Sequence, residues 1–274
     1  ELFGEFEWFD WSTFKEVRIR FADGRPDAVR TTAYRDAYAF APGQHVNVSV
    51  PGGDGVRRSY SICSPAGSGR LRIAVKRIPD GTFSAYALSS LAPGDELDVM
   101  TPAGRFTPDL DPVNAKHYVA IAAGSGITPV LSIITSVLGT EPDSRVTLIY
   151  ANRTSQSVMF LDELADLKDV HPSRLHLVHV LSREQQEADL LSGRIDEEKL
   201  RTTLGTLIPP SSVDEWFLCG PLALVDLCRE FAEVLEVKPE FVDTTWDNIV
   251  AGLQAGRWDM SLALNRTPVR AMAV

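Results

Sequence analysis

The chain has 274 residues, 44% of them hydrophobic and 23% charged, with a formal net charge of −10 from 27 basic and 37 acidic side chains. That length accommodates two cores and the composition is that of a soluble globular protein. The acidic balance suits docking on a basic protein surface and excludes a general nucleic-acid binder, which needs a basic face to displace counterions. Cys63, Cys219 and Cys228 are widely spaced and form no C-x-x-C pair, so zinc, a disulfide framework and a [2Fe–2S] cluster all lack ligands. A reducing cytoplasm is the expected compartment: no apolar run is long enough for a membrane span, and the start lacks the basic residues of a signal peptide.

In chain order, residues 1–13 crowd Phe3, Phe6, Trp8, Phe9 and Trp11 into an aromatic segment that must bury itself or remain sticky. Over residues 14–110, short runs at 17–21, 45–50, 58–63, 71–77 and 96–100 are divided by turns such as Pro42-Gly43, Pro65-Ala66-Gly67 and Pro93-Gly94. Short strands at this spacing predict an antiparallel barrel or sandwich, with one short helix at 84–91. Arg58-Ser59-Tyr60-Ser61 lines one of these strands with a guanidinium, two hydroxyls and a phenol. Those groups suit a pyrophosphate and a flat heterocycle, although the wet face of an ordinary strand reads the same way. Gly81-Thr82-Phe83-Ser84 opens the short helix, where free N–H groups suit a phosphate and Ser84 also reads as a plain N-cap.

Past a polar stretch at 109–116 the rhythm becomes strand, helix, strand. Strands at 118–122, 146–151, 175–181 and 216–219 alternate with helices at 130–138, 158–168, 197–204 and 222–235. This predicts a doubly wound parallel sheet with its ligand at the carboxyl ends of the strands. Between the first strand and its helix lies Gly124-Ser125-Gly126-Ile127-Thr128-Pro129, with Pro129 expected at the first helical position. Two glycines leading into a helix N-terminus cradle a phosphate, because the backbone can approach and the free N–H groups favour an anion. A tight turn without function has the same outline.

Sheets that prefer NAD place an acid after the second strand. This chain has Asn152-Arg153-Thr154 there, and Ser182-Arg183 after the third strand. Two arginines among hydroxyls suit a 2′-phosphate and favour NADP, unless they merely decorate loops. Cys219-Gly220-Pro221 ends the last strand, where a thiol is either structural or a small polarisable group against a nicotinamide ring.

The order R-x-Y-S, G-x-F-S, G-x-G-x-T-P, C-G-P over residues 14–235 resembles the ferredoxin–NADP reductase family. Within it, Phe40-Ala41-Pro42-Gly43-Gln44-His45, Arg57 to Ser64 and Ser157-Val158-Met159-Phe160-Leu161-Asp162-Glu163-Leu164 are similar to the reductase components of phenylacetyl-CoA epoxidase-type oxygenases. The resemblance implies an antiparallel FAD-binding β-barrel (14–110) followed by a parallel-sheet NADP-binding α/β domain (111–246). It also implies a flavoprotein that passes a hydride from NADPH to FAD and electrons onward to a ferredoxin, an oxygenase component or a small molecule. Arg58 and Ser59 would hold the FAD pyrophosphate, Tyr60 would stack on the isoalloxazine, and Ser61 would sit by its reactive edge. Val75, Lys76, Gly81, Thr82, Phe83 and Ser84 would hold the rest of the flavin nucleotide. Gly124, Gly126 and Thr128 would meet NADPH, Arg153, Ser182 and Arg183 its 2′-phosphate, and Cys219 with Gly220 and Pro221 its nicotinamide. Tyr60, Ser61 and Cys219 are thus the candidate catalytic positions, with no metal.

Two departures follow. The ferredoxin-like domain with four cysteines that accompanies such reductases has no counterpart here. Where the family's core ends on an acid and an aromatic beside the flavin, this chain has Phe241-Val242-Asp243-Thr244-Thr245-Trp246 and continues. The continuation, with Trp246-Asp247-Asn248-Ile249 and Thr267-Pro268-Val269-Arg270, resembles a fragment of periplasmic amino-acid-binding proteins. The expectation is a chimera spliced near 222–228, with a tail (247–274) adding a helix at 248–255 and a strand at 258–264. The alternatives to a reductase are an amino-acid-binding module, in which Arg270 would clamp a carboxylate, and an inactive fusion.

Overall fold

A computed structural model describes residues 14–19, 38–50, 57–77, 81–92, 95–224 and 226–228. The aromatic segment 1–13, most of the helix expected at 222–235, the stretch 241–246 and the whole tail with Arg270 lie outside the described residues.

The first half is antiparallel. Strand β1 (Phe14–Ile19) pairs with β4 (Leu71–Lys76), and β2 (His45–Ser49) lies between β3 (Arg58–Ser61) and the short β5 (Asp98–Val99). An isolated bridge between Ile62 and Ile73 ties the two sheets together. Val46, Val48, Ile62, Ile73 and Val75 point inward and close on helix α1 (Thr82–Ser89) through Phe83 and Ala87. The first strand thus begins at Phe14 rather than 17, and the helix two residues earlier than its sequence suggests.

The second half is parallel. Its sheet has the order β8 (Leu175–Leu181), β7 (Arg145–Asn152), β6 (His117–Ala123), β9 (Glu215–Cys219). The first six residues of β6 are buried, as a central parallel strand covered on both faces requires. Tyr118, Ala120 and Ala122 face helices α2 (Ile127–Thr140) and α3 (Leu161–Val170). Val119 and Ile121 face α4 (Glu197–Thr206) and the helical residues 222–224 and 226–228. The sheet is therefore doubly wound. Because the chain runs outward through β7 and β8 and returns on the far side of β6 as β9, a crevice opens between the carboxyl ends of β6 and β9.

Helix α2 starts two residues earlier than its proline suggests, and a 3₁₀ turn over Gly124–Gly126 precedes it. Pro129 therefore stands third in the helix rather than first. It is tolerated there because the N–H groups of the whole first turn have no intrahelical acceptor. Helix α3 starts later than expected, at Leu161, because Phe160 takes a left-handed conformation (φ 59°) and breaks the run from Val158.

Eleven of the fourteen residues of α2 are buried, since this helix is packed between the parallel sheet and the antiparallel half. The Ser132 hydroxyl donates to Ser64 O (2.7 Å), and Ala66 N donates to the Ser136 hydroxyl (2.9 Å). Beside them, Arg72 Nη2 donates to both carboxylate oxygens of Glu163 at 2.8 and 3.0 Å and to Cys63 O, while its guanidinium lies 5.4 Å from the centre of the Phe160 ring. Arg72 is only 14% exposed, so this pair is a charged bond across the junction of the two halves. Glu163→Ala is expected to cost about 1.5–3 kcal/mol, the usual worth of hydrogen bonds to a charged group. Arg72→Ala should cost more, because it also removes packing over Phe160; urea unfolding of both variants measures the difference.

Candidate functional site

The crevice is built by two turns that touch. A Cβ on Gly126 would stand 2.1 Å from the carbonyl oxygen of Cys219 and 2.5 Å from its carbon. Only glycine lets the turn after β6 lie against the turn after β9. Gly124 has φ +54°, a left-handed conformation that glycine adopts without cost. Its carbonyl accepts the Tyr150 hydroxyl at 3.0 Å, and that hydroxyl in turn receives Met159 N–H at 3.3 Å. Tyr150 is fully buried, which pushes its phenol well above the ordinary range and keeps it a donor. No sequence motif marks this tether; its one signal is a phenol within the buried run Leu148-Ile149-Tyr150.

No acidic side chain stands in the first turn of the 3₁₀ segment or of α2, and no side chain caps either. Thr128 donates its hydroxyl to Ser125 O at 2.9 Å and is nearly buried, so it braces the turn. An anion arriving here meets a positive helix end that no first-turn acid neutralises. Lys76, at the end of β4, extends toward the same turn: its Nζ lies 3.7 Å from the point a Gly124 Cβ would occupy. The family resemblance assigns Lys76 to the flavin, whereas the fold carries its charge to the glycine turn.

Cys219 is buried, and burial pushes its thiol up to about 12. It is a neutral, shielded group at neutral pH. Alkylation of native protein at pH ~8 should therefore leave Cys219 largely unmodified, while unfolded protein reacts at once; peptide mapping after iodoacetamide checks this. Gly220 is packed against Ala123 and Leu224, and Pro221 is exposed beside it.

Along the sheet edge, the pairing of β7 and β8 continues past both strands. Ser182 N donates to Asn152 O (2.9 Å) and Arg183 N to Arg153 O (2.8 Å), so the two exposed arginines are neighbours. This edge also holds Glu184, which no sequence motif singles out: its carboxylate accepts Ser155 N–H at 2.7 Å and Ser155 Oγ–H at 3.0 Å.

In the antiparallel half, all four residues of β3 are half-buried. Arg58 Nη1 donates to Arg57 O (2.9 Å), and the Ser59 hydroxyl donates to Asn47 Oδ1. The Tyr60 ring packs 5.4 Å from Phe83, and Ser61 pairs with His45 across β2. Helix α1 starts after Gly81 with no side-chain cap and no acid in its first turn. Ser84 does not cap it; its buried hydroxyl donates back to Gly81 O at 3.1 Å. Thr82 is exposed, Phe83 belongs to the core, and Val75 is fully buried, so of Val75 only the backbone is available to a ligand.

Comparison with known proteins agrees with this geometry. The family described as oxidoreductase FAD-binding domain matches residues 28–107, and the oxidoreductase NAD-binding domain matches residues 120–230. Bacterial extracellular solute-binding proteins of family 3 match residues 223–274, so two families share 223–230. The chain is 49% identical over 211 residues to a subunit of the 1,2-phenylacetyl-CoA epoxidase of Escherichia coli, a match covering 77% of this chain and 57% of that protein. It is 37% identical over 202 residues to the ferredoxin reductase component of 3-ketosteroid-9-alpha-monooxygenase from Rhodococcus rhodochrous, covering 72% and 52%. The chain thus spans little more than half the length of these relatives. Among solved structures it is similar to a Neisseria gonorrhoeae ferredoxin NADP+ reductase with bound FAD and NADP (TM-score 0.63, 25% identity, covering 82% of this chain and 86% of that one). It also superposes on the FAD/NAD-binding domain of Vibrio cholerae nitric oxide dioxygenase (TM-score 0.69, 25% identity, 86% and 93%). The chain has the two-domain fold of the ferredoxin reductase-type proteins, an FAD-binding domain with an antiparallel sheet followed by an NAD-binding domain with a parallel four-stranded sheet.

Proposed function

We propose that the chain is an NADPH-dependent flavoprotein reductase that delivers electrons to a ferredoxin or an oxygenase component. The observation that carries the reading is the contact of Gly126 with the Cys219 carbonyl, which leaves a bare backbone crevice with Lys76 beside it. The relatives, one a component of an epoxidase and the other the ferredoxin reductase of a monooxygenase, supply the acceptor class. The chemistry that bound FAD supplies is acceptance of a hydride and release of electrons one at a time.

The residues present fit that cofactor and its donor. Arg58 takes a pyrophosphate, aided by the amino end of α1 at Gly81–Ser84. Tyr60, braced by Phe83, offers a flat face to the isoalloxazine, with Ser61 next along the strand. Gly124, Gly126, Thr128 and Lys76 receive the pyrophosphate of NADPH, and Arg153, Ser182 and Arg183 its 2′-phosphate. Cys219 with Gly220 and Pro221 forms the wall beside the nicotinamide. Its neutral thiol contributes shape and excludes water, and no general acid or base is required for hydride transfer. Three buried free cysteines support a reducing cytoplasmic setting, and no helix among the described residues is long and apolar enough to cross a membrane.

Ferricyanide reduction by the FAD-loaded chain tests the reading: NADPH should support turnover, and Arg58→Ala should lower FAD affinity at least about tenfold. A chain that binds FAD yet reduces ferricyanide with neither nicotinamide nucleotide would contradict it. The match over residues 223–274 favours a second reading, an amino-acid-binding module on the same chain. Thermal stabilisation by free amino acids would support that reading, and its absence would remove it.

A further inference from the structure

The edge that carries Arg153 and Arg183 also carries a fixed negative charge. Glu184 follows Arg183 directly, and its carboxylate is held by two donors of Ser155, at 2.7 and 3.0 Å. Ser155 is itself held firmly. It opens the short turn Ser155–Ser157, which Thr154 and Ser157 close with reciprocal side-chain-to-backbone hydrogen bonds. The backbone bond from Arg183 N to Arg153 O fixes the two segments against each other. Among the described residues, no ion pair links Glu184 to either arginine, so its charge is oriented but not neutralised by them.

A carboxylate tied to the segment that follows Arg153, and next in sequence to Arg183, affects any anion those arginines attract. At a protein surface the effective dielectric is about 20 and the screening length about 8 Å, so charges a few ångströms apart still interact strongly. A carboxylate at such an edge also accepts the hydroxyls of an unphosphorylated ribose. Both effects act in one direction, against the 2′-phosphate and toward the free hydroxyl.

Resting on the reading that Arg153, Ser182 and Arg183 face the 2′-phosphate, we propose that Glu184 is the residue that limits the preference for NADPH over NADH. The arginines attract the phosphate, and the tethered carboxylate subtracts from that attraction. The preference for NADPH is consequently smaller than the arginines alone would give, and removal of one negative charge enlarges it.

The test is calorimetric binding of two adenine fragments, 2′,5′-ADP and 5′-AMP, to the FAD-loaded full chain. Glu184→Gln should tighten 2′,5′-ADP by about three- to tenfold, with 5′-AMP unchanged or weaker, and the gain should shrink at high salt. Glu184→Ala should move the ratio in the same direction, and because the side chain is partly exposed both variants should melt like the parent. An unchanged ratio in both variants, in a parent that prefers 2′,5′-ADP and loses that preference on Arg153→Ala, overturns the Glu184 proposal alone. No preference for 2′,5′-ADP in parent or variants overturns the arginine assignment and the proposal with it.

Discussion

Gly126→Ala is expected to lower the melting temperature by roughly 6–12 °C, the equivalent of about 3 kcal/mol in a chain of this size. The added methyl would stand 2.1 Å from Cys219 O, 2.5 Å from its carbon and 3.0 Å from Gly220 N. All three are backbone atoms of a strand end, so no flexible side chain can swing away. The turn after β6 must lift off the turn after β9, which opens the crevice between them. Nucleotide binding should suffer beyond stability, with affinity for NADPH at least about tenfold weaker. Gly139→Ala is the matched control. It lies in α2, no heavy atom stands within 4 Å of its added carbon, and it should be neutral or gain up to about 1 kcal/mol.

Glu141→Ala should be as costly, roughly 3–5 kcal/mol, for a different reason. The Glu141 carboxylate is fully buried at the amino end of the parallel sheet. It accepts Asp111 N–H (3.1 Å), Asn114 Nδ2–H (2.8 Å), Tyr118 O–H (3.2 Å) and Ser144 Oγ–H (2.7 Å). These donors gather the segment before β6 onto the end of α2, so one alanine strands four donors at once. Burial alone would raise this carboxyl, but hydrogen bonds from Ser144, Asn114, Asp111 and Tyr118 outweigh it and hold it below the ordinary carboxylate range. The sign of the pH effect follows. The stabilisation is present above the ordinary carboxylate value and is lost as pH falls through the depressed one. Glu141→Gln should therefore lower stability at neutral pH and flatten its decline toward acid, which urea unfolding at a series of pH values measures.

These two residues differ in how far they could be read from sequence. Gly126 lies in a motif whose spacing suggests its purpose, and the order β6, turn, helix was legible in the change to a strand, helix, strand rhythm past residue 116. What the motif does not contain is its partner: Cys219 is far along the chain, and only the strand order β7-β6-β9 brings the two turns together. Helix starts were misjudged where the backbone departs from its usual path, at the 3₁₀ turn before Ile127 and at left-handed Phe160. Lys76, Tyr150 and Glu184 show the same limit. Each is an ordinary residue in its own segment, and each gains its role from a contact with a distant one: Gly124 for the first two, Ser155 for the third. Glu141 gave no signal at all, because a single acid before Pro142 reads as a solvated loop.

In the function proposed above, the glycine crevice and the Arg58–Ser61 strand serve one electron path. Anaerobic titration of the FAD-loaded chain with NADPH, followed by visible absorbance, tests it directly. The flavin band should bleach in proportion to added NADPH, and Gly126→Ala should require much more nucleotide to reach the same bleaching. A chain that retains FAD and keeps its full colour with excess NADPH and NADH would contradict the account.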